Sequence, residues 1–488
     1  MNQPITDSAP VVETVDVEPV NKPEQRAQYE KRRKIHPRRV HGPFRRLKWI
    51  SMAMMLAIYY LSPWIRWDRG PTAPDQAILV DMSAPRFYFF FIEIWPQEIY
   101  YVTGLLIIAA LMLFLATSLL GRVWCGYACP QTVWTDLFVT VERFVEGDRA
   151  ARIRLDRAPL SLSKIGKRGL KHFIWLVIGA CTGGAWVFYF VDAPTLAAQL
   201  LTFDAPAAVY GFVGLLTGTT YLLGGIAREQ VCTFMCPWPR IQAAMFDEDT
   251  LLVGYREFRG EPRAPYRKGD SFENRGSCID CNSCVVVCPA GIDIRDGLQL
   301  ECISCALCID ACNNVMDRID QPRGLIGYDT VAGLRRKADS EVGRPRIIRA
   351  RTVIYAGLIA LVGGIMLVTL LGRSPLDVNV LRDRNPLFVK LSDGGIRNGY
   401  TVKILNKHHE IRTFDLKLSG VKPAAISIIG TTGTRVTVGP DRLRSFRVFV
   451  KTPRAALTSD STPIRFHVKD REDDRMASHD STLRGPGR

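Results

Sequence analysis

Eight of the chain's thirteen cysteines fall between Cys278 and Cys312, in two runs, and this constrains the chain more than any other feature. The first run reads Cys278-Ile-Asp-Cys281-Asn-Ser-Cys284-Val-Val-Val-Cys288-Pro289, the second Cys302-Ile-Ser-Cys305-Ala-Leu-Cys308-Ile-Asp-Ala-Cys312. Both are C-x2-C-x2-C-x3-C, the spacing in which the fourth cysteine of each run ligates the other run's iron–sulfur cubane. It predicts two [4Fe–4S] clusters, one on Cys278, Cys281, Cys284 and Cys312, the other on Cys302, Cys305, Cys308 and Cys288. Three thiolates on a tight loop cap three iron corners, and the fourth corner must be reached from elsewhere. Crossing the fourth ligands ties both loops into one unit. Zinc would use four ligands in two C-x2-C pairs. Asn313 follows Cys312 where the first run has Pro289, so the second exit turn is expected to differ.

At 488 residues the chain has room for several domains, and 47% hydrophobic content suits a protein partly in lipid. Five segments are apolar over nearly the length a membrane helix needs: Trp49–Ile65, Ile99–Leu120, Phe173–Val191, Val209–Ala227 and Thr352–Leu371. The first 30 residues are polar and acidic, without the apolar run of a signal peptide.

The net charge of +16 follows the loops rather than a nucleic-acid surface. Lys31 to Lys48 holds nine basic residues, among them Arg32, Arg33, Arg38 and Arg39, and no acid. The linker after the second span holds Arg149, Arg152, Arg154, Arg157, Lys167, Arg168 and Lys171. Between the third and fourth spans stand Asp192 and Asp204 and no Lys or Arg. The asymmetry predicts an inner-membrane protein with the N-terminus, linker 121–172 and region 228–351 in the cytoplasm. The cysteine runs then sit in reducing conditions, which disfavours a disulfide framework. The fifth span, preceded by Arg344, Arg346, Arg349 and Arg351, sends the C-terminal region to the periplasm.

The expected organisation is therefore a multi-domain membrane protein with an α-helical bundle of about five spans. Residues 1–48 are a disordered, basic N-terminus; 49–254 carry four spans; 255–330 hold a ferredoxin-like two-cluster insert; 331–351 are a basic linker; 352–371 are the last span. The aromatic stretch from Arg86 to Pro96 is expected to lie at the membrane interface. From Ser374 the pattern turns to short alternating strands, with runs starting at Leu387, Tyr400, Thr413, Arg435, Ser445 and Ile464. They suggest that 374–488 form an all-β, immunoglobulin-like sandwich without cysteine. His408 and His409 adjoin on a turn, where solvation is the commoner role than metal binding.

A second cysteine pattern is rarer. Arg122-Val-Trp-Cys125-Gly-Tyr-Ala-Cys129-Pro130 follows the second span and Arg228-Glu-Gln-Val-Cys232-Thr-Phe-Met-Cys236-Pro237 the fourth. Both are C-x3-C-P, 107 residues apart, which reads as duplication of a two-helix unit. On a helix, positions i and i+4 share a face, so each pair can present two thiols to one point, and the proline bends or ends the helix. Four such thiols suit Cu(I), the soft ion. The alternative is inert buried cysteine, which is the reading for lone Cys181.

Taken in order, the C-x3-C-P repeats, the two-cluster insert, the last span and the strand-rich tail resemble the FixG/CcoG family, accessory proteins of cbb(3)-type cytochrome c oxidase assembly. The membrane-plus-ferredoxin core alone is also similar to quinol-oxidising NapH-type subunits. The family resemblance implies an oxidoreductase that reduces Cu(II) to Cu(I), with copper as substrate or transient ligand of Cys125, Cys129, Cys232 and Cys236. It further implies oxidase subunits, copper chaperones or transporters as partners, a cytoplasmic electron donor and membrane lipid. A homo-oligomer stays open, and nucleic acid is not expected. Two other readings remain: a NapH-like quinol dehydrogenase subunit, and an assembly scaffold whose clusters are structural or redox-sensing.

Overall fold

The computed structural model describes residues 12, 14–20 and 34–486, apart from 72, 268, 342–345, 432 and 458. Most of the tail expected to be disordered, together with Lys31, Arg32, Arg33 and Arg344, lies outside the described residues. The chain forms two compact units, residues 1–65 with 76–366, and residues 66–75 with 367–488.

The helices are α1 (Pro43–Leu61), α2 (Tyr100–Leu120), α3 (Pro130–Glu146), α4 (Arg149–Arg157), α5 (Leu162–Val187), α6 (Ala193–Thr202), α7 (Ala207–Thr220), α8 (Trp238–Met245), α9 (Glu257–Gly260), α10 (Ser283–Val287), α11 (Leu307–Arg318), α12 (Val331–Ala338) and α13 (Ala350–Leu371). Among the described residues, four helical stretches are long and apolar enough to cross a membrane: Pro96–Leu120, Leu162–Val187, Ala207–Ala227 and Ala350–Leu371. The first expected span folds as α1 but is not among them, because Arg45, Arg46 and Lys48 occupy its first turns. The third begins earlier than expected, at Leu162, where Ser161 caps α5 by accepting from the Lys164 backbone N–H at 3.2 Å.

Small residues set the helix packing. A Cβ on Gly183 of α5 would stand 2.7 Å from the Val213 carbonyl of α7, and one on Gly179 would stand 3.1 Å from that of Thr217. Glycine there lets the two backbones approach as membrane helices do.

One expectation gains detail and another needs correction. The aromatic stretch is a small antiparallel sheet, β1 (Ile78–Asp81), β2 (Arg86–Phe89) and β3 (Ile92–Ile94), in order β1-β2-β3. It buries Tyr88, and Arg86 stacks on the buried Trp95 ring at 3.8 Å, an organisation that tertiary packing supplies. The tail is not free throughout. Residues 14–20 run extended over the cysteine-rich domain: the Val15 N–H donates to the Cys281 carbonyl (3.3 Å), Asn282 Nδ2 to the Val15 carbonyl (2.9 Å), and the Val20 N–H to Gly291 (2.8 Å). Val12 enters the domain's core. Apolar residues at 15 and 17 face inward while Asp16 and Glu18 are exposed, the period-2 signature of a strand.

The cysteine-rich domain is closed by β4 (Leu252–Tyr255) against β5 (Ile326–Asp329), antiparallel, so its frame begins three residues before the expected 255. The expected basic linker 331–351 opens with α12, capped by Thr330. The domain docks on α1: Asp310 carboxylate oxygens accept from the backbone N–H groups of Phe44 (3.3 Å) and Arg45 (2.7 Å), supplying the cap that Gly42 lacks.

In the second unit, β6 (Leu376–Arg382), β7 (Val389–Lys390), β8 (Gly395–Asn406), β9 (Arg412–Ser419), β10 (Ala425–Ile428), β11 (Arg435–Val438), β12 (Arg442–Pro453), β13 (Ser461–Asp470) and β14 (Met476–Arg484) make two antiparallel sheets. One has order β10-β12-β8-β6, with β7 also on β8, and the other β11-β9-β13-β14. Their inward residues, among them Val402, Val448, Phe414 and Phe466, form one core, an immunoglobulin-like sandwich. Tyr400 meets Phe466 edge-on at 5.0 Å and donates its hydroxyl to the Thr482 carbonyl at 2.9 Å. His408 and His409 contact the carboxylates of Asp473 (3.3 Å) and Asp441 (2.6 Å), and Arg412 fills the acidic group of Asp470 and Asp473 beside His408.

Candidate metal centre and electron-transfer site

The two cysteine runs fold as copies 24 residues apart. Asp280 (φ 52°) and Asn282 (φ 56°) flank Cys281 in left-handed backbone, and Ser304 (φ 52°) and Ala306 (φ 60°) flank Cys305 likewise. Such alternation curls a loop so that its N–H groups line a concavity suited to an anionic cluster. Ala306, with nothing to gain locally from this strained region, is 1% exposed. After each loop a helix starts, α10 at Ser283 and α11 at Leu307, setting Cys284 and Cys308 in first turns. Pro289 follows the short α10, whereas α11 runs on past Cys312, which is why the second run carries Asn313. The Asn313 Oδ1 accepts from the Gly324 N–H at 2.9 Å.

The sulfurs influence one another mostly within the expected crossed sets, with Cys284 also acting on Cys308. Burial pushes Cys312 up to about 12, and the next contributions come from Cys281 and Cys278. Burial does the same to Cys288, followed by Cys305 and, less strongly, Cys302. Cys284 and Cys308 are driven well above the ordinary thiol range, again by burial first; Cys312 and Cys281 act on the former, Cys305, Cys302 and Cys288 on the latter. All thirteen cysteines are free. Among the described residues, the groups of three or more ligand atoms within 4.8 Å of one another contain no cysteine, so the runs are too open for a single zinc ion. Eight thiols, four buried and four half-buried, in two open loops fit two cubanes, which supply one-electron redox chemistry when bound.

The two C-x3-C-P motifs are also copies in backbone. The helix before each ends, at Leu120 and Ala227, in a residue of unusual conformation, Gly121 (φ 58°, ψ −123°) and Arg228 (φ 46°, ψ −114°). Each then makes a π turn, Trp124–Ala128 and Val231–Met235, closed by Cys129 N–H to Trp124 carbonyl (2.8 Å) and Cys236 N–H to Val231 carbonyl (2.7 Å). The expected α-helical i, i+4 face is thus corrected. The second cysteine of each pair sits in extended backbone beyond a π turn, a feature common at functional sites. The prolines open the next helices: Pro130 is the first residue of α3 and Pro237 precedes α8.

The four thiols act on one another's charge, but no three of them come within 4.8 Å of one another, so they form no closed metal site here. Burial raises Cys125 and Cys232 to about 12; the next contribution to each is Cys129, and Cys236 also acts on both. The Cys125 thiol donates to Gln242 Oε1 (3.2 Å), and the Gln242 amide to Thr117 Oγ1 (3.2 Å). Cys181 is exposed and takes no part.

Several residues escaped the sequence reading. Arg228 is strained for a side chain with a Cβ, and its buried guanidinium holds it: Nε donates to the Gly225 carbonyl (2.7 Å) and Nη2 to Glu142 Oε2 (3.0 Å). Glu142 is wholly buried and also pairs with Arg152 (3.1 Å) and Lys171 (3.6 Å). Arg122 and Gly126 touch the second cysteine run. Both arginines stand at the heads of the motifs, a signal that charge alone could not separate from the surrounding basic loops.

Residues 227–331 match the family model of a 4Fe-4S dicluster domain, 102–143 that of a 4Fe-4S binding domain, and 366–486 that of the IG-like fold at the C-terminal of FixG. The nitrogen fixation protein FixG of Rhizobium meliloti (strain 1021) is 52% identical over 488 residues, 93% of each chain. Protein RdxB of Cereibacter sphaeroides is 53% identical over 467 residues, 94% of this chain and 98% of its own. The ferredoxin-type protein NapH of Haemophilus influenzae is 25% identical over 224 residues, 43% of this chain and 66% of its own. With paired iron–sulfur loops, apolar helices and this similarity to FixG along both chains, the protein belongs to the FixG/CcoG family and is a membrane iron–sulfur electron-transfer protein.

Proposed function

We propose that this protein is a cupric reductase: electrons from a one-electron donor pass by way of the two cysteine runs to Cys125, Cys129, Cys232 and Cys236, where Cu(II) becomes Cu(I). The observation that supports the reading is the pair of matched π turns that carry the four thiols, the first of them lying against the second cysteine run. Sulfur ligands favour the cuprous product, so the same thiols that accept the ion pull the reduction forward. Their burial keeps Cys125 and Cys232 protonated when free, and copper must displace those protons on binding. The basic loops support an orientation with this site on the cytoplasmic face. The product would serve cytochrome c oxidase assembly, with the C-terminal sandwich as docking surface for oxidase subunits or copper chaperones.

Anaerobic copper titration of the purified holoprotein, with a Cu(I)-specific chelator as readout, tests this against a variant with the four cysteines changed to Ala. Stoichiometric binding and Cu(I) release, both lost in the variant, support the reading. Equal Cu(I) yield from both proteins refutes it. The similarity to NapH favours a second reading, a quinol dehydrogenase subunit, for which menaquinol oxidation without copper binding would be the result.

A further inference from the structure

The two thiol motifs share a backbone but not a neighbourhood. A Cβ on Gly126 would stand 2.7 Å from the Ile303 carbonyl oxygen and 3.2 Å from the Cα and N of Cys305. The first motif therefore lies directly on the loop that carries Cys302, Cys305 and Cys308, and only glycine allows so close an approach. Tyr127 donates its hydroxyl to the Cys305 carbonyl at 3.2 Å. At the matching positions of the second motif stand Thr233 and Phe234, and Phe234 is 63% exposed.

Arg122 completes the contact. It is 3% exposed; Nη1 donates to the carbonyls of Leu300 and Cys302 (3.2 Å to the latter) and Nη2 to the Pro239 carbonyl (2.7 Å). Its Nε has no hydrogen-bond partner among the described residues. The ionisable groups in its reach are Cys125 and Cys302, then Glu301 and Cys232. It is thus a buried cation between the thiols and one cysteine loop, with neutral carbonyls as hydrogen-bond acceptors and Glu301 as a nearby carboxylate. The cation beside the other loop is held differently. Arg295 chelates Asp293 (Nε at 2.9 and 3.0 Å, Nη2 at 2.6 Å) and donates Nη1 to Asp280 at 2.6 Å, so two carboxylates offset its charge next to Cys284.

A cluster gains one negative charge on reduction, so a nearby cation less fully offset by carboxylates, in a weakly screened interior, raises its potential. We propose that Arg122 makes the Cys302–Cys308 loop the electron exit, by holding it against the first thiol motif and by setting its cluster potential above that of the Cys278–Cys284 loop. The proposal rests on the electron-transfer reading of the thiols. Electrons then run downhill, entering on the Cys278 side from a donor of lower potential. At the thiols Cu(II) takes one electron to become Cu(I), and the Cys302-side cluster is oxidised by one electron; no bond is made and no proton is needed. Arg122 is a positioning residue here, acting through the loop and the thiols.

The test is a redox titration of the full holoprotein, followed by electron paramagnetic resonance, in wild type, Arg122→Gln, Arg122→Lys and Asp293→Asn. Cys281→Ser and Cys305→Ser assign each signal to its loop. Arg122→Gln is expected to lower the midpoint of the Cys305-side signal alone, and Arg122→Lys to preserve it. Asp293→Asn, which leaves Arg295 less compensated, should raise the Cys281-side midpoint and narrow the gap. If Arg122→Gln does not load iron, the Asp293→Asn and Arg122→Lys titrations still decide the matter. The proposal is overturned by a Cys281-side midpoint above the Cys305-side one in wild type, by equal movement of both signals in Arg122→Gln, or by no movement in Asp293→Asn. These midpoints need no copper, so a failed copper titration sinks the cupric reductase reading and leaves this one standing.

Discussion

Replacing Glu142 by Gln should destabilise the membrane unit while leaving every cysteine in place. Its side chain is 0% exposed and receives Arg152, Arg228 and Lys171 at 3.1, 3.0 and 3.6 Å. Burial alone would raise its pKa; Arg228 first, then Arg152 and Lys171, overcome this and hold the carboxyl at about 2, against an ordinary 4.5. At 1.36 kcal/mol per tenfold, that gap corresponds to about 3 kcal/mol. The folded-state value is the lower one, so this stabilisation is complete above pH 4.5 and is lost as pH falls through about 2. The glutamine variant forfeits it and leaves three buried cations with Glu146 as the acid nearby, a loss of roughly 3–5 kcal/mol for a broken buried pair. Thermal unfolding of the detergent-solubilised chain would read a midpoint several degrees lower at pH 7, converging with wild type as the pH drops toward 3. Equal midpoints at pH 7, or a gap that widens on acidification, would refute the assignment. Because Arg228 also holds the strained turn ahead of Cys232, alkylation of that cysteine should quicken in the variant.

Other outcomes follow from the same geometry. Cys312→Ser should remove the signal that Cys281→Ser removes, and Cys288→Ser the one that Cys305→Ser removes; pairing within each run would contradict the crossed sets. Copper binding should release protons, because Cys125 and Cys232 stay protonated near neutrality, and the apparent affinity should rise with pH by up to tenfold per unit for each thiol displaced. A chain lacking residues 1–20 should keep its iron when prepared anaerobically, yet lose the signal assigned through Cys281→Ser faster in air, since residues 14–20 cover Cys281. Phe466→Ala, at a fully buried position of the sandwich, should cost about 3–5 kcal/mol in urea-dependent hydrogen exchange of the sandwich strands in the full chain, without altering the iron content.

Features that depend on neighbours in the chain could be read from the residues alone. The two iron–sulfur cysteine loops are of this kind, because three ligands per cluster lie on one loop whose spacing leaves little choice of metal. The last four apolar spans and the six alternating strand runs belong there too, since hydrophobic period reports burial directly. Features that depend on a distant segment could not. Glycine at 126 and arginine at 122 become meaningful only when Ile303 and Cys302 are brought against them, and residues 14–20 take their place only on the backbone that Cys281 and Gly291 offer. The π turns at Trp124 and Val231 look like ordinary helix until the chain must turn each pair of thiols toward the other. Local spacing decides which atoms can bind iron. The packing of remote loops decides which of those atoms face the thiols, because a buried charge acts only over the few ångströms that folding closes.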